Sequence, residues 1–559
     1  MDQIVQDTLS DRVRVSGRIT AMTLTGDGRL RWTDGHQRSL TLEKQVLGFV
    51  VEGSKIRIRA VVDGRDEICC GGRAGSVVRK DFVFEPLSED SKRLWCEKLR
   101  DFIDSFGRPK RLYIFVNPFG GKKIASKIFL DDVKPLLEDA NIQFTVQETT
   151  QQLHAKEIVK VLDLSKYDGI VCVSGDGILV EVVNGLLERE DWNDAIKVPL
   201  GVVPAEHHVH CQFDYDFVDS GPIKAIEAKA KQEPFTWQIY LFIEVIISYS
   251  LSTGNGMIKS LLDLVGEPCK ASNAILAVIR GHKRLLDVAT ILQGKTRFHS
   301  VLMLAWGLVA DIDIESEKYR WMGSARIDFY ALQRILYLRQ YNGRVSFVPA
   351  PGFENHGEPS TYSEQNICNP IPSQQQPIKI LQHGYQGPDV DLKNLEWRII
   401  NGPFVAVWLH NVPWGSENTM AAPDAKFSDG YLDLIIIKDC PKLALFSLLS
   451  NLNKGGHVES PYVAYLKVKA FILEPGALTQ EPNREGIIDC DGEVLARGKG
   501  TYQCDQKSLM SYDKLQITVD QGILFVGQHV NLTLFSSYFV PATIHPPRRR
   551  MTGSTHFLG

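Results

Sequence analysis

Three glycine-bearing stretches carry residue types suited to binding phosphate: NPFGGKK at 117–123, SGDG at 174–177 and TGNG at 253–256. Gly120 and Gly121 permit positive φ, so consecutive backbone N–H groups there can converge on an anion. The second stretch, Ser174, Gly175, Asp176 and Gly177, opens a helical pattern whose N-terminus faces the same edge. Asp176 is the notable member. A carboxylate beside a phosphate cradle repels the substrate unless it accepts a proton or holds Mg2+. Taken singly, each stretch reads as an ordinary turn; all three, at strand ends, favour a nucleotide. The pattern is neither a G-x-x-x-x-G-K-[ST] loop nor a G-x-G-x-x-G fingerprint.

The elements that must position these turns follow from periodicity. From residue 111 strands alternate with helices: RLYIFVNP, ASKIFLDDVKPLLEDANI, QFTVQET, LHAKEIVKVLDL, DGIVCVSGDG, GILVEVVNGLLER and KVPLGVVPA. That order implies an α/β layer with a mainly parallel sheet, binding its ligand beyond the carboxyl ends of the strands. Residues 1–107 read as a small antiparallel β unit (VRVSGRI, TGDGRLRW, SLTLE, KIRIRAVVDG, FVFEP) closed by an amphipathic helix. Ser88 or Asp90 is its expected cap, and Leu94, Trp95, Leu99, Phe102 and Ile103 its apolar face. The unit resembles a pleckstrin-homology-like domain. The α/β domain is expected over 108–284 and an antiparallel β-sandwich over 285–522, with a flexible Pro/Gln/Ser/Asn-rich insertion at 351–395.

Composition narrows the function. The chain has 559 residues, a net charge of −4, and 44% hydrophobic and 23% charged residues. That balance is ordinary for a globular protein and gives no support for nucleic-acid binding. Ten cysteines without a C-x-x-C pair point to a reducing compartment. The N-terminus shows no signal peptide. The longest apolar run, 239–251, contains Glu244 and is too short to span a bilayer. The expected location is cytoplasmic, with peripheral contact to an intracellular membrane.

NPFGGKK, VSGDGILVEVVNGL, GVVPA with the displaced TGNG, SVLMLAWGLVADIDIESEKYR, SDGYLDL and DCDGE together resemble the sphingosine kinases. These are lipid kinases with a diacylglycerol-kinase-type catalytic domain. The similarity covers most of residues 110–520, and the long polar insertion and extra N-terminal region resemble the plant-type enzymes. It implies ATP and Mg2+, a sphingoid-base substrate, and Asp176 as general base for the substrate's primary hydroxyl. It places Asn117, Pro118, Gly120, Gly121, Thr149, Ser174, Gly175, Gly177, Glu181, Thr253, Gly254, Asn255, Asp491, Gly492 and Glu493 around the nucleotide. Gln151 and Gln152 follow Thr149 where the animal enzymes carry basic residues. Arg320 and Arg326 resemble phosphate-contacting arginines, and Asp313 the carboxylate that holds the substrate's amino-alcohol head. Helix-surface pairs of Arg320 and Lys318 with Glu317 and Glu315, and a hairpin turn at Asp491–Gly492, are the competing structural accounts. Diacylglycerol and ceramide kinases are the alternatives within the class.

In relatives the third loop runs unbroken as PAG-[ST]-GN. Here one glycine is absent and 47 residues, 206–252, stand in its place. The second half of the segment is rich in Phe, Ile, Leu, Tyr and Ser, residues with uridine-rich codons, so it reads as a retained intron translated in frame or as a gene-model error. HHVHC within it is too crowded for one tetrahedral metal site. A membrane-dipping hairpin at 235–251 would leave Glu244 needing a partner. The break makes a catalytically impaired lipid-binding protein the rival from another class. Residues 523–559 read as an atypical tail whose Arg548–Arg550 could meet anionic lipid.

Overall fold

The computed structural model describes residues 8–63, 77–119, 123–205, 254–322, 325–360, 384–503 and 507–527. Gly120, Gly121, Thr253, the whole 206–252 segment with its HHVHC run, and the tail from 528 lie outside the described residues.

The N-terminal unit is a seven-stranded antiparallel sheet. Its spatial order is Gln37–Thr41, Arg29–Thr33, Arg18–Leu24, Leu9–Val15, Val77–Pro86, Lys55–Asp63, Val46–Glu52. Helix Glu89–Ser105 covers it. Ser88 caps this helix, its Oγ accepting the Ser91 N–H at 3.1 Å. Trp95, Leu99 and Phe102 bury into the sheet, with the Trp95 ring edge-on to Phe84. Leu94, expected on that face, is 41% exposed, and Ile103 only packs at its rim.

The unit is tied to the next domain. Asp139 receives Arg79 at 2.7 Å and Arg59 at 3.7 Å. The Arg108 guanidinium donates to the carbonyls of Leu42, Glu43 and Leu47, and Arg280 donates to that of Lys44. Leu47 and Val61 join the core of the catalytic domain.

That domain holds four parallel strands in the order Gln143–Glu148, Arg111–Val116, Gly169–Val173, Leu200–Val203. Gly169–Val173 and Leu200–Val203 are buried throughout, as central strands between helix layers require. Three of their carboxyl ends lead into the turns singled out above.

Strand Leu515–Gly527 joins the two large domains. It pairs in parallel with Leu200–Val203 through Val526, and antiparallel with Lys283–Gln293 and Val463–Leu478. The strand thus runs five residues past the 522 boundary read from sequence, because Phe525, Val526 and Gly527 continue its pairing with 283–285. The remaining sandwich strands include Met303–Gly307 between Ala406–His410 and Ile487–Cys490, and Tyr341–Pro349 between Trp397–Asn401 and Val463–Leu478. Both ends of the 351–395 insertion are structured, contrary to the flexible reading. Glu358–Ser360 pairs with Trp397–Asn401. Tyr385 is buried beside Trp192 and His299 and donates its hydroxyl to Asp520. Among the described residues the cysteines are free, and no helix is long and apolar enough to cross a membrane.

Candidate active site

Helix Asp176–Leu187 organises the site. Gly175, extended at φ −73°, turns the chain out of strand Gly169–Val173, so Asp176 becomes the first helical residue. Four residues of this one helix then fix three other parts of the chain. Asp176 is buried, and its Oδ2 and Oδ1 accept the N–H groups of Gly256 (2.8 Å) and Met257 (3.3 Å). It therefore caps helix Gly256–Asp263, the first helix after the 206–252 segment. Asn255 precedes that helix in the left-handed region at φ 63°, after Gly254 at φ 92°. A Cβ on Gly256 would lie 2.6 Å from the Trp414 carbonyl oxygen, which explains the glycine. The downstream half of the divided loop is thus docked on Asp176, despite the missing glycine.

Glu181, one and a half turns on, is a second cap. Its carboxylate oxygens accept the N–H groups of Leu153 (2.9 Å) and Ala155 (3.1 Å) at the start of helix His154–Val161. Both oxygens are held by a helix N-terminus, so Glu181 fixes the 153–155 turn at the edge of the site. Burial raises its pKa against the lowering effect of those amides. Asn184 receives the His299 N–H (2.9 Å) and donates to the His299 carbonyl (2.7 Å), gripping strand Thr296–Ser300 as a neighbouring strand would. Gly185 lets helix His154–Val161 approach, since a Cβ there would sit 2.3 Å from Val159. Sequence reasoning passed over Asn184 and Gly185. The signal was an Asn-Gly pair, poor helix formers both, inside an apolar helix.

Asp491 and Gly492 turn the hairpin between strands Ile487–Cys490 and Glu493–Arg497, both at positive φ (55° and 82°). The Asp491 carboxylate accepts from Ser300 Oγ (2.9 Å) and from the N–H groups of Val301 (3.0 Å), Leu302 (3.0 Å) and Met303 (2.6 Å). Asp491 is a clamp on the 300–303 turn. Burial pushes its pKa up to about 6. Glu493 is the member of the DGE trio that reaches the glycine turns. Its Oε1 would lie 3.5 Å from a Cβ on Gly177, and its Oε2 accepts Gln152 Nε2 at 2.8 Å. Gln152, from the loop expected to be weakened by its glutamines, thereby links to the SGDG turn. Burial, then the charges of Glu181 and Asp491, raise the Glu493 pKa to about 7.

The first turn is set by Asn117, whose Oδ1 accepts the Phe119 N–H at 3.0 Å across Pro118. Its own N–H bonds to Val173, beside SGDG. Thr149 and Ser174 are both buried, their N–H groups on Val116 and Val203. The three strand ends meet as expected.

Asp313 lies on helix Leu308–Glu315 and is half-buried. It stands within hydrogen-bond reach of Asp489 on strand Ile487–Cys490, a residue outside the sequence-derived set. Burial raises both carboxyl pKa values, and the Asp313 charge raises that of Asp489 further. Arg326 faces Asp313 and is ion-paired with Glu317. Arg320 pairs with the same Glu317 at 2.6 Å and its side chain is 79% exposed, while Lys318 pairs with Glu315 at 3.3 Å. The helix-surface account of Arg320 and Lys318 is therefore what the structure displays.

The two domains of the site define a lipid-kinase fold of the diacylglycerol-kinase type. The model of the diacylglycerol kinase catalytic domain matches residues 111–205, and that of the YegS C-terminal NAD kinase beta sandwich-like domain matches 397–510. Arabidopsis thaliana sphingosine kinase 2 is 58% identical over 92% of this chain and 96% of its own length. Sphingosine kinase 1 of the same plant is 59% identical over 92% and 95%, and human sphingosine kinase 1 is 32% identical over 69% and 87%. This chain belongs to the sphingosine kinase family.

Proposed function

We propose that this chain transfers the γ-phosphate of ATP to the primary hydroxyl of a sphingoid long-chain base such as sphingosine, sphinganine or phytosphingosine, forming the 1-phosphate. One observation carries the mechanism: a buried carboxylate, Asp176, held in one orientation by two backbone amides where two helix N-termini meet. Positioned so, it accepts the hydroxyl proton as the oxygen attacks phosphorus. The space beside it suits phosphates. A Cβ on Gly175 or Gly492 would meet nothing within 4 Å, and one on Gly177 only the Glu493 carboxylate. Asn117, Pro118, Ser174, Gly175, Gly177, Gly254 and Asn255 line the phosphate side. Mg2+ is expected to be held chiefly by the nucleotide's own oxygens. Bound there, Mg2+ would neutralise charge on the transferring group. Arg320 and Arg326 exchange Glu317 for phosphate when nucleotide binds.

Asp313 holds the substrate's ammonium, which favours a sphingoid base over diacylglycerol or ceramide, lipids without a free amine. The exposed apolar side chains of Trp321 (79%), Phe329 (44%) and Tyr337 (70%), just beyond Asp313 in the chain, support peripheral membrane contact there. The N-terminal unit, a seven-stranded sheet closed by a helix, supports the pleckstrin-homology-like reading. The test is product formation by the full chain from ATP with sphinganine, diacylglycerol or ceramide; phosphorylation of the neutral lipids alone would overturn the assignment.

The 206–252 segment bears on rate. The Gly256 and Met257 amides dock on Asp176, and loop-closure entropy grows only slowly with length, so the segment need not prevent the loop from forming. The glycine absent from the loop still removes one cradle position, and small displacements in such a site can cost on the order of 10²-fold. Replacing residues 206–252 with a single Gly is expected to raise turnover on sphinganine and phytosphingosine. Equal turnover by both chains would make the segment a tolerated surface element.

A further inference from the structure

Asp489 is the one buried acid of the site region that nothing above uses. It is fully buried, and neither carboxylate oxygen accepts a hydrogen bond from a donor among the described residues. A buried carboxylate without donors is costly, by several kcal/mol in real proteins. It must take up a proton or meet a cation. The strand fixes where that cation would stand. Ile487 and Asp489 share one face of strand Ile487–Cys490, and Ile487 packs with Ile314 of helix Leu308–Glu315. The same face therefore brings Asp489 to Asp313, one residue before Ile314. Asp313 keeps partial access to solvent, and Asp489 has none. Every further charge facing the pair is accounted for. Asp491 and Glu493 on the adjoining hairpin are acids, Glu317 beside Asp313 is an acid, and Arg326 is already paired with Glu317. The cation that faces the pair, Arg326, acts on Asp313 and is shared with Glu317, and among the described residues none bonds Asp489.

We propose that Asp489 is a second headgroup residue, forming with Asp313 a two-carboxylate receptor for the substrate's ammonium group. The proposal rests on the sphingoid-base reading and deepens it. An ammonium carries three N–H donors, and two carboxylates offer acceptors on two sides of it. In the empty site the pair shares a proton; when the amine binds, that proton leaves to solvent and the ammonium takes its place. Asp489 thus adds to the discrimination of a free amine from an N-acylated or deaminated lipid, and it acts on binding rather than on phosphoryl transfer.

The test compares the full chain with Asp489→Asn, Asp313→Asn and the double variant. The substrates are a short-chain 2-amino-1,3-diol and the matching 1,3-diol without the amine. Wild type is expected to prefer the amino-diol in kcat/KM, and each single variant to lose about tenfold or more of that preference, as for a hydrogen bond to a charged group. The double variant is expected to lose less than the product of the two, since both residues hold one ammonium. Wild-type KM for the amino-diol should fall from pH 6 to pH 8 as the competing proton leaves, and this dependence should flatten in Asp489→Asn. Asp489→Ser offers a second neutral replacement if Asn disturbs folding. An Asp489→Asn chain that keeps the full wild-type preference for the amine overturns the proposal, whatever its thermal stability. Failure of wild type to turn over the amino-diol at all overturns the kinase reading as well.

Discussion

Two groups of buried carboxylates lie side by side in this protein. Asp176, Glu181 and Asp491 each receive two or more hydrogen bonds from backbone N–H or hydroxyl groups. Asp313 and Asp489 face each other, and Asp489 receives no donor among the described residues. The first group uses its charge to bind parts of the chain together, and Asp176 alone of the three is also asked, in the proposed mechanism, to accept a proton. The second group leaves negative charge unmatched at the place where a cationic headgroup is expected. Burial alone therefore does not mark an acid whose charge is unmatched; the donors already present do.

The largest expected effect is at Asp176. Asp176→Asn keeps a side-chain oxygen for one of the two amides but removes the base, so turnover should fall about 10²- to 10⁴-fold with the thermal midpoint little changed. Turnover within tenfold of wild type would move Asp176 to the purely structural group. Next comes Asp491→Ala, which strands three buried N–H groups and a hydroxyl. At about 1–3 kcal/mol for each buried group left without a partner, a loss of about 3 kcal/mol or more is expected in urea unfolding. A loss below about 1 kcal/mol would remove the clamp. The smallest effect sharpens the contrast at Asp489. Its folded pKa is raised above the unfolded value, so its contribution to stability is complete at acid pH and is lost as pH rises towards the folded pKa. Asp489→Asn removes that loss. Thermal melts should show the variant gaining on wild type with each step from pH 5 to pH 8, by up to about 1.4 kcal/mol per unit. A constant difference across that range would mean that Asp489 does not titrate there.

What the sequence disclosed follows the range of each signal. Alternating strands and helices and the glycines of SGDG are local, and they sufficed to predict the parallel strands whose ends meet beside Asp176. Glu181 and Asp491 were recognised as site residues, but their tasks depend on amides 26 and about 190 positions away, which no local pattern encodes. Asp489 was hidden by its neighbours. In IIDCDGE the glycine draws attention to the turn, and an acid two residues earlier looks like the outward face of a strand until the helix covering that face is known. The pairing of Ile517 or Val526 with strands more than 200 positions earlier likewise leaves no mark beyond an apolar run.

That last strand has a consequence for how the protein is made. Chains fold vectorially as they leave the ribosome, early domains first. Leu200–Val203 and Lys283–Gln293 emerge long before Leu515–Gly527, the strand that completes both their edges. Until it arrives, two apolar strand edges stand open, a state that invites pairing with other chains. A message cut short before codon 515 would thus yield a product with every glycine turn and Asp176 in place, yet without a closed sheet. Through the last strand of the described residues, the protein ties closure of its catalytic sheet to translation having passed codon 527.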